Sequence, residues 1–180
     1  MAEEQKNAQK VAGMNRNNVA PLPLAQLVAA LEREHPEWIS EVREALGETT
    51  LIVPREHLIE ICRYLKTTPG YDFNMLVDIC GVDRGPEEEP RFEVNYHLFS
   101  TLSYHRLRLK VLLNEEDARV PTATVVWRTA NWHERETFDM FGILFDGHPD
   151  LRRILLPEDW QGHPLRKDFP LRGYEPYSLK

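Results

Sequence analysis

Cysteine is scarce: the 180-residue chain has only Cys62 and Cys80. Two thiols cannot hold an iron–sulfur cluster, which generally takes four, and they do not resemble the disulfide framework of a secreted domain. Long apolar runs are missing as well. The longest, Leu27 to Leu31, has five residues, whereas a membrane-spanning helix needs about 20. Serine is sparse, and no G-x-G-x-x-G, P-loop or G-x-S-x-G pattern occurs, so nucleotide binding and serine hydrolysis have no support. Basic clusters are lacking too. With 22 Lys+Arg against 29 Asp+Glu, the net charge is −7, and a nucleic-acid partner is not expected. The N-terminal stretch MAEEQKNAQKVAGMNRNN has neither the apolar centre of a signal peptide nor the Arg/Ser bias of a transit peptide, which predicts a protein kept in a cytoplasm.

What is present is material for one core: 42% of residues are hydrophobic and 28% charged, and the length suits a single domain. Residues 1–21 are polar and aperiodic and read as a flexible extension. Leu24, Leu27, Val28 and Leu31 then follow the spacing of a helix burying one stripe, which should stop near His35 because Pro36 follows. Residues 49–53 (TTLIV) read as a strand, and Pro54 can open a second helix with Leu58, Ile61, Cys62 and Leu65 on one side. Both cysteines are expected to be buried, reduced and hydrophobe-like.

Three strands are predicted at about 75–83, 91–99 and 106–113. In the second, Phe92, Val94, Tyr96 and Leu98 alternate with Glu93, Asn95 and His97; in the third, Leu107, Leu109, Val111 and Leu113 alternate with Arg106, Arg108 and Lys110. One face should be core and the other wet. The fold class is therefore α+β, a two-layer arrangement with a largely antiparallel or mixed sheet covered by helices over residues 22–146. From residue 147 to 180 the chain holds 5 of its 13 prolines and reads as an extended arm that needs a surface, its own or a partner's.

Residues 131–142 (NWHERETFDMFG) carry the most information. Asn131 reads as an N-cap with Glu134 as a capping-box carboxylate, and Gly142 suits a left-handed C-terminal cap. A helix over 132–141 follows, with Arg135 and Asp139 placed to pair along its surface. His133-Glu134 begins the metalloprotease pattern H-E-x-x-H, but the second ligand position holds Thr137, so that motif fails. A metal bound by Glu134, Glu136 and Asp139 with His148 or His163 is the weaker reading. Further on, Gly147-His148-Pro149-Asp150-Leu151-Arg152-Arg153 is echoed by Gly162-His163-Pro164-Leu165-Arg166-Lys167. Such a short repeat is no architectural unit, and the two copies read as similar docking turns: Pro limits the entropy lost on ordering, and Arg offers bidentate bonds.

Glu134-Arg135-Glu136, two residues, Asp139-Met140-Phe141, six residues, His148, three residues, Arg152, one residue and Ile154-Leu155 together resemble the signature of one subunit of respiratory complex I. This is the thirty-kilodalton, C-type subunit of the proton-pumping NADH:quinone oxidoreductase. The resemblance runs through FNMLVDICGVD at 73–83, RFEVNYHL at 91–98 and GHPLRKDFP at 162–170, and covers about 22–176. It implies a subunit of the hydrophilic arm that carries no cofactor itself, with FMN, iron–sulfur clusters and quinone belonging to the rest of the complex. Implied partners are other complex I subunits, principally the D-type one, which helps form the quinone cavity, and then the B-type one. Membrane association is implied only through the complex, at the cytoplasmic side of a bacterial inner membrane. No residue would be catalytic or metal-binding. Glu134, Arg135, Glu136, Asp139, His148, Pro149, Arg152, Arg153, His163, Arg166 and Lys167 would serve the partner interface. Alternatives are the equivalent subunit of a membrane-bound hydrogenase or other-donor complex, and a free-standing metal-dependent hydrolase using His133, Glu134 and His148.

Overall fold

The computed structural model describes residues 22–174; the extension expected over 1–21 and the final residues 175–180 lie outside the described residues. Helix α1 (Leu24–Glu34) buries Leu27, Val28 and Leu31 and gives way to a short turn at Pro36–Trp38. There the Trp38 indole stacks on His35, with ring centroids 3.7 Å apart.

The next element is one the sequence did not announce. Strand β1 (Glu41–Ala45) forms a hairpin with β2 (Glu48–Ile52) across Leu46-Gly47. Both turn residues have positive φ, 54° and 80°, as the twist of a tight two-residue hairpin demands. β1 lacks an alternating pattern because it is a mostly exposed edge strand. A turn at Arg55–His57, rather than helix directly after Pro54, leads into α2 (Leu58–Thr67), which buries Leu58, Ile61, Cys62 and Leu65.

Strands β3 (Met75–Asp83), β4 (Phe92–Phe99) and β5 (Arg106–Leu113) complete a five-stranded sheet in the order β1-β2-β5-β4-β3. All neighbours are antiparallel except β2 and β5, so the sheet is mixed. The residues expected to face inward from β4 and β5 are buried, and they form one core with the stripes of α1 and α2. The opposite face is less wet than expected. Asn95 is buried, and Glu93 and Lys110 are ion-paired with little exposure, because long polar side chains on neighbouring strands cover one another. Cys62 is buried as expected, whereas Cys80 is only half-buried.

A second, two-stranded sheet pairs β6 (Arg119–Pro121) in parallel with β7 (Leu144–Asp146), with α3 (Ala130–Phe141) as the crossover. Helix α3 lies along β3, which would otherwise be an open edge. The Thr137 hydroxyl donates to the Ile79 carbonyl, and the Phe141 ring sits over Gly81 so closely that a Cβ there would lie 2.6 Å from it. Replacing Gly81 by valine should therefore cost about 1–3 kcal/mol through overpacking. Urea unfolding of the full chain would register this as a lower midpoint, and an unchanged midpoint would mean that α3 is not seated as described.

Candidate functional site

Helix α3 presents two functional sides. Ala130, Glu134 and Thr137, spaced i, i+4, i+7, point inward, and Arg135 and Asp139, four apart, point toward the arm. The expected capping box is not what Glu134 forms. The helix begins one residue before Asn131, its N-cap Thr129 makes no side-chain cap, and Glu134 is wholly buried. Its carboxylate instead accepts from the Thr122 hydroxyl at 2.5 Å and the Ala123 N–H at 2.6 Å, joining α3 to the segment after β6. Burial pushes the Glu134 carboxyl up to about 7, a rise that these two donors reduce without cancelling.

The expected surface pair of Arg135 and Asp139 is also replaced. Arg135 donates to the carbonyls of Arg152 and Arg153, at 3.0 and 2.9 Å, while its guanidinium lies over the exposed Trp132 ring. Asp139 is fully buried and takes the backbone N–H groups of Ile154, Leu155 and Leu156 on one oxygen, at 3.0, 2.8 and 3.0 Å. Its other oxygen accepts from Arg153 at 2.6 Å. Burial raises this carboxyl, but the three N–H donors and Arg153 outweigh burial and hold it below its ordinary value. A charge and three consecutive amides in this arrangement make a concave anion cradle, here filled by the protein's own carboxylate.

The two echoed turns dock on the two ends of α3. In the first, His148 Nδ1 accepts from the Asp150 N–H, which places the ring proton on Nε2, where it donates to the Asn131 carbonyl at 3.2 Å. In the second, the last helical carbonyls, those left without intrahelical partners, are taken one after another. His163 Nδ1 donates to Asp139 O at 3.0 Å, Leu165 N–H to Met140 O at 3.1 Å, and Arg166 Nε to Phe141 O at 2.6 Å. Gly142, with φ 74°, is required here because a Cβ would lie 2.6 Å from the His163 ring. Arg153 joins the two turns, donating to the carbonyls of Trp160 and Gly162 as well as to Asp139.

A second anchor was missed by the sequence reading. Arg91, 2% exposed, grips Asp83 at the end of β3, Asp168 of the arm and Glu115. Lys167 N–H also donates to Asp83, at 2.7 Å. Burial acts to raise the Asp83 carboxyl, yet Arg91 and the N–H groups of Lys167 and Gly85 bring it down to about 2. The signal was available: Asp83 has the parity of Ile79 and Gly81, so a charge falls where the core face continues.

Of the predicted site residues, Glu134, Arg135 and Asp139 are thus spent inside the chain, and His148, Arg153, His163 and Arg166 hold the arm on α3. Glu136, Pro149, Arg152 and Lys167 are exposed. The hydrolase set does not converge, because His133 pairs with Asp78 on β3, 3.2 Å away, whereas His148 is 3.8 Å from Glu134.

Residues 51–175 match the family model described as the 30 kDa subunit of respiratory-chain NADH dehydrogenase. A relative from Rhizobium meliloti, the second of its C-type NADH-quinone oxidoreductase subunits, is 54% identical over 76% of this chain and 74% of its own. The C-type subunit from Geobacter sulfurreducens is 46% identical over 92% of this chain and 98% of its own. The trypsin-resistant fragment of Nqo5 superposes with a TM-score of 0.60 at 36% identity, covering 70% of this chain and 99% of that one.

Two outcomes test the site. Because the Glu134 value is raised in the fold from 4.5 to about 7, its contribution is full below pH 4.5 and is lost as pH rises through 7. Relative to Glu134→Gln, the native chain should therefore lose on the order of 3 kcal/mol across that interval in urea titrations; parallel pH profiles would contradict this. Asp139→Asn puts an amide against Arg153 or the three N–H donors. Trypsin should then cleave after Arg152 and Arg153 at least ~10-fold faster, read by mass spectrometry, with the sheet still folded. An identical digestion pattern would show that the cradle does not hold the arm.

Proposed function

Since this chain belongs to the family of the 30 kDa subunit of respiratory-chain NADH dehydrogenase, and its relatives are C-type subunits of NADH-quinone oxidoreductase, we propose that it serves as a structural, non-catalytic subunit of the hydrophilic arm. Other subunits of that complex are its partners. The D-type subunit, at the quinone cavity, is the principal one in this reading, with the B-type subunit next to it, on the cytoplasmic face of a bacterial membrane. Among the described residues no helix is long and apolar enough to cross a bilayer, which fits association through partners.

In this role the complex carries electrons from NADH through FMN and iron–sulfur clusters to quinone, coupled to proton translocation. This chain shapes the assembly and holds none of those groups. The donor set supports that division: Cys62 is enclosed in the core, burial pushes its thiol well above the ordinary value, and Cys80 alone cannot supply a cluster.

The observation that carries the reading is what the arm and α3 together leave exposed. The arm's inward backbone groups are taken by α3, while apolar and cationic side chains of the arm and of residues 125–132 are left facing out. Val125, Trp132, Leu155 and Leu165 are 58%, 60%, 60% and 53% exposed, and Val125, Arg128, Trp132 and Pro149 line an open hollow. A patch of this kind on a folded surface marks a partner site. Arg152, whose backbone carbonyl serves the Arg135 that lies over Trp132, has its side chain 61% exposed and touching Asp150. Arg152→Glu should thus reverse a surface charge and leave the arm in place. Purification through a tag on the variant from detergent-solubilised membranes should recover at least ~10-fold less flavin-containing NADH:quinone oxidoreductase, while its thermal midpoint stays within a degree or two. Undiminished recovery would remove Arg152 from the interface, and recovery of the native chain alone would overturn the subunit reading.

A further inference from the structure

Away from the arm, on the outer face of the sheet, three residues with different donor atoms converge. Asp78 and Cys80 are two apart on β3 and share a side, and His97 on β4 is the register partner of Asp78. A bulge makes this possible. Leu76 and Ile79 are both buried although they are three residues apart, which strict alternation forbids; the extra residue, Val77, faces out, and the register shifts between Leu76 and Asp78. From there on, Asp78 and Cys80 face outward while Ile79 stays in the core.

The carboxylate, thiol and imidazole donor atoms all lie within 4.8 Å of one another, with Cys80 Sγ 3.9 Å from His97 Nε2. A tetrahedral ion with bonds of ~2.3 Å to sulfur and ~2.0 Å to nitrogen would bring such a pair to ~3.6 Å. Behind Asp78, His133 of α3 has Nδ1 3.2 Å from the carboxylate, where it orients that group or takes a coordination position itself. The cation whose charge reaches both Cys80 and His97, Arg108 on β5, is engaged by Glu48 and Thr50. We propose that Asp78, Cys80 and His97, supported by His133, form a binding site for a divalent transition-metal ion of the zinc class.

The donor set selects the ion. Thiolate and imidazole favour zinc or cobalt over magnesium or calcium, which take oxygen ligands. Burial and the Arg108 charge hold His97 below its ordinary value, so at neutral pH its ring nitrogen has a free lone pair. Burial and the Asp78 charge push the Cys80 thiol up, so the bound ion must displace a proton: Cys–SH and M²⁺ give Cys–S⁻–M²⁺ and H⁺. The ion would pin β3, β4 and the start of α3 together where the helix covers the β3 edge of the sheet. Its role is structural, with no electron transferred.

The test uses the full chain, stripped with chelator and titrated with Co²⁺, which reports thiolate ligation by a near-ultraviolet charge-transfer band. One equivalent should bind with that band, Zn²⁺ should displace it, and millimolar Mg²⁺ should not. Cys80→Ser should abolish the band, His97→Ala should weaken binding at least ~10-fold, and Cys62→Ala should leave both unchanged. Circular dichroism confirms that each variant is folded. Absence of the band in the native chain, its persistence in Cys80→Ser, or its loss in Cys62→Ala would each overturn the assignment.

Discussion

The fold of the C-terminal third depends on one constraint: a helix ends with carbonyls that have no partner within it. In α3 these belong to Asp139, Met140 and Phe141, and the side chain of Asp139 adds a buried negative charge beside them. The arm supplies a donor for each carbonyl and four for the carboxylate. An arm without helix or strand thereby gains a defined path, since an unpaired buried polar group costs more than a made hydrogen bond returns. Arg166, placed over the last carbonyl, also meets the negative end of the helix dipole.

The buried charges act together in this. Glu134 fixes α3 to the segment after β6, Asp139 and Arg153 fix the arm to α3, and Arg91 with Asp83 fixes the arm to the sheet. Each is desolvated, so its net stabilisation is small compared with what removing one partner would cost. Their effect is to admit one register of arm on helix. An apolar arm of similar volume would bind the same groove with less discrimination between positions.

Much of this was legible in the sequence where periodicity governs. The helix around Leu27, Val28 and Leu31, the helix around Ile61 and Cys62, and strands β4 and β5 follow from apolar spacing alone, because each buries one regular face. β1 was not legible, because an exposed edge strand has no face to reveal. The α3 segment was found, but Glu134, Arg135 and Asp139 were assigned outward roles. Sequence spacing shows which residues share a side of a helix, whereas whether that side meets solvent or the chain's own later residues is a tertiary fact. The echoed Gly-His-Pro turns showed the reverse. Their likeness has a physical basis, since each histidine donates to a backbone carbonyl of the same helix.

The order in which the donors and acceptors are joined also has a consequence for synthesis. A ribosome makes α3 before the residues that complete it, so a nascent chain that has emerged only as far as Gly142 exposes a helix with bare carbonyls and an unmet carboxylate at Asp139. Only when Gly162 to Arg166 have followed is that end closed. Chains cut short before that point would carry an unsatisfied, partly apolar surface of the kind that quality control recognises. The arm thus completes an element made before it, and the same contacts that position it tie the integrity of α3 to residues more than twenty positions downstream.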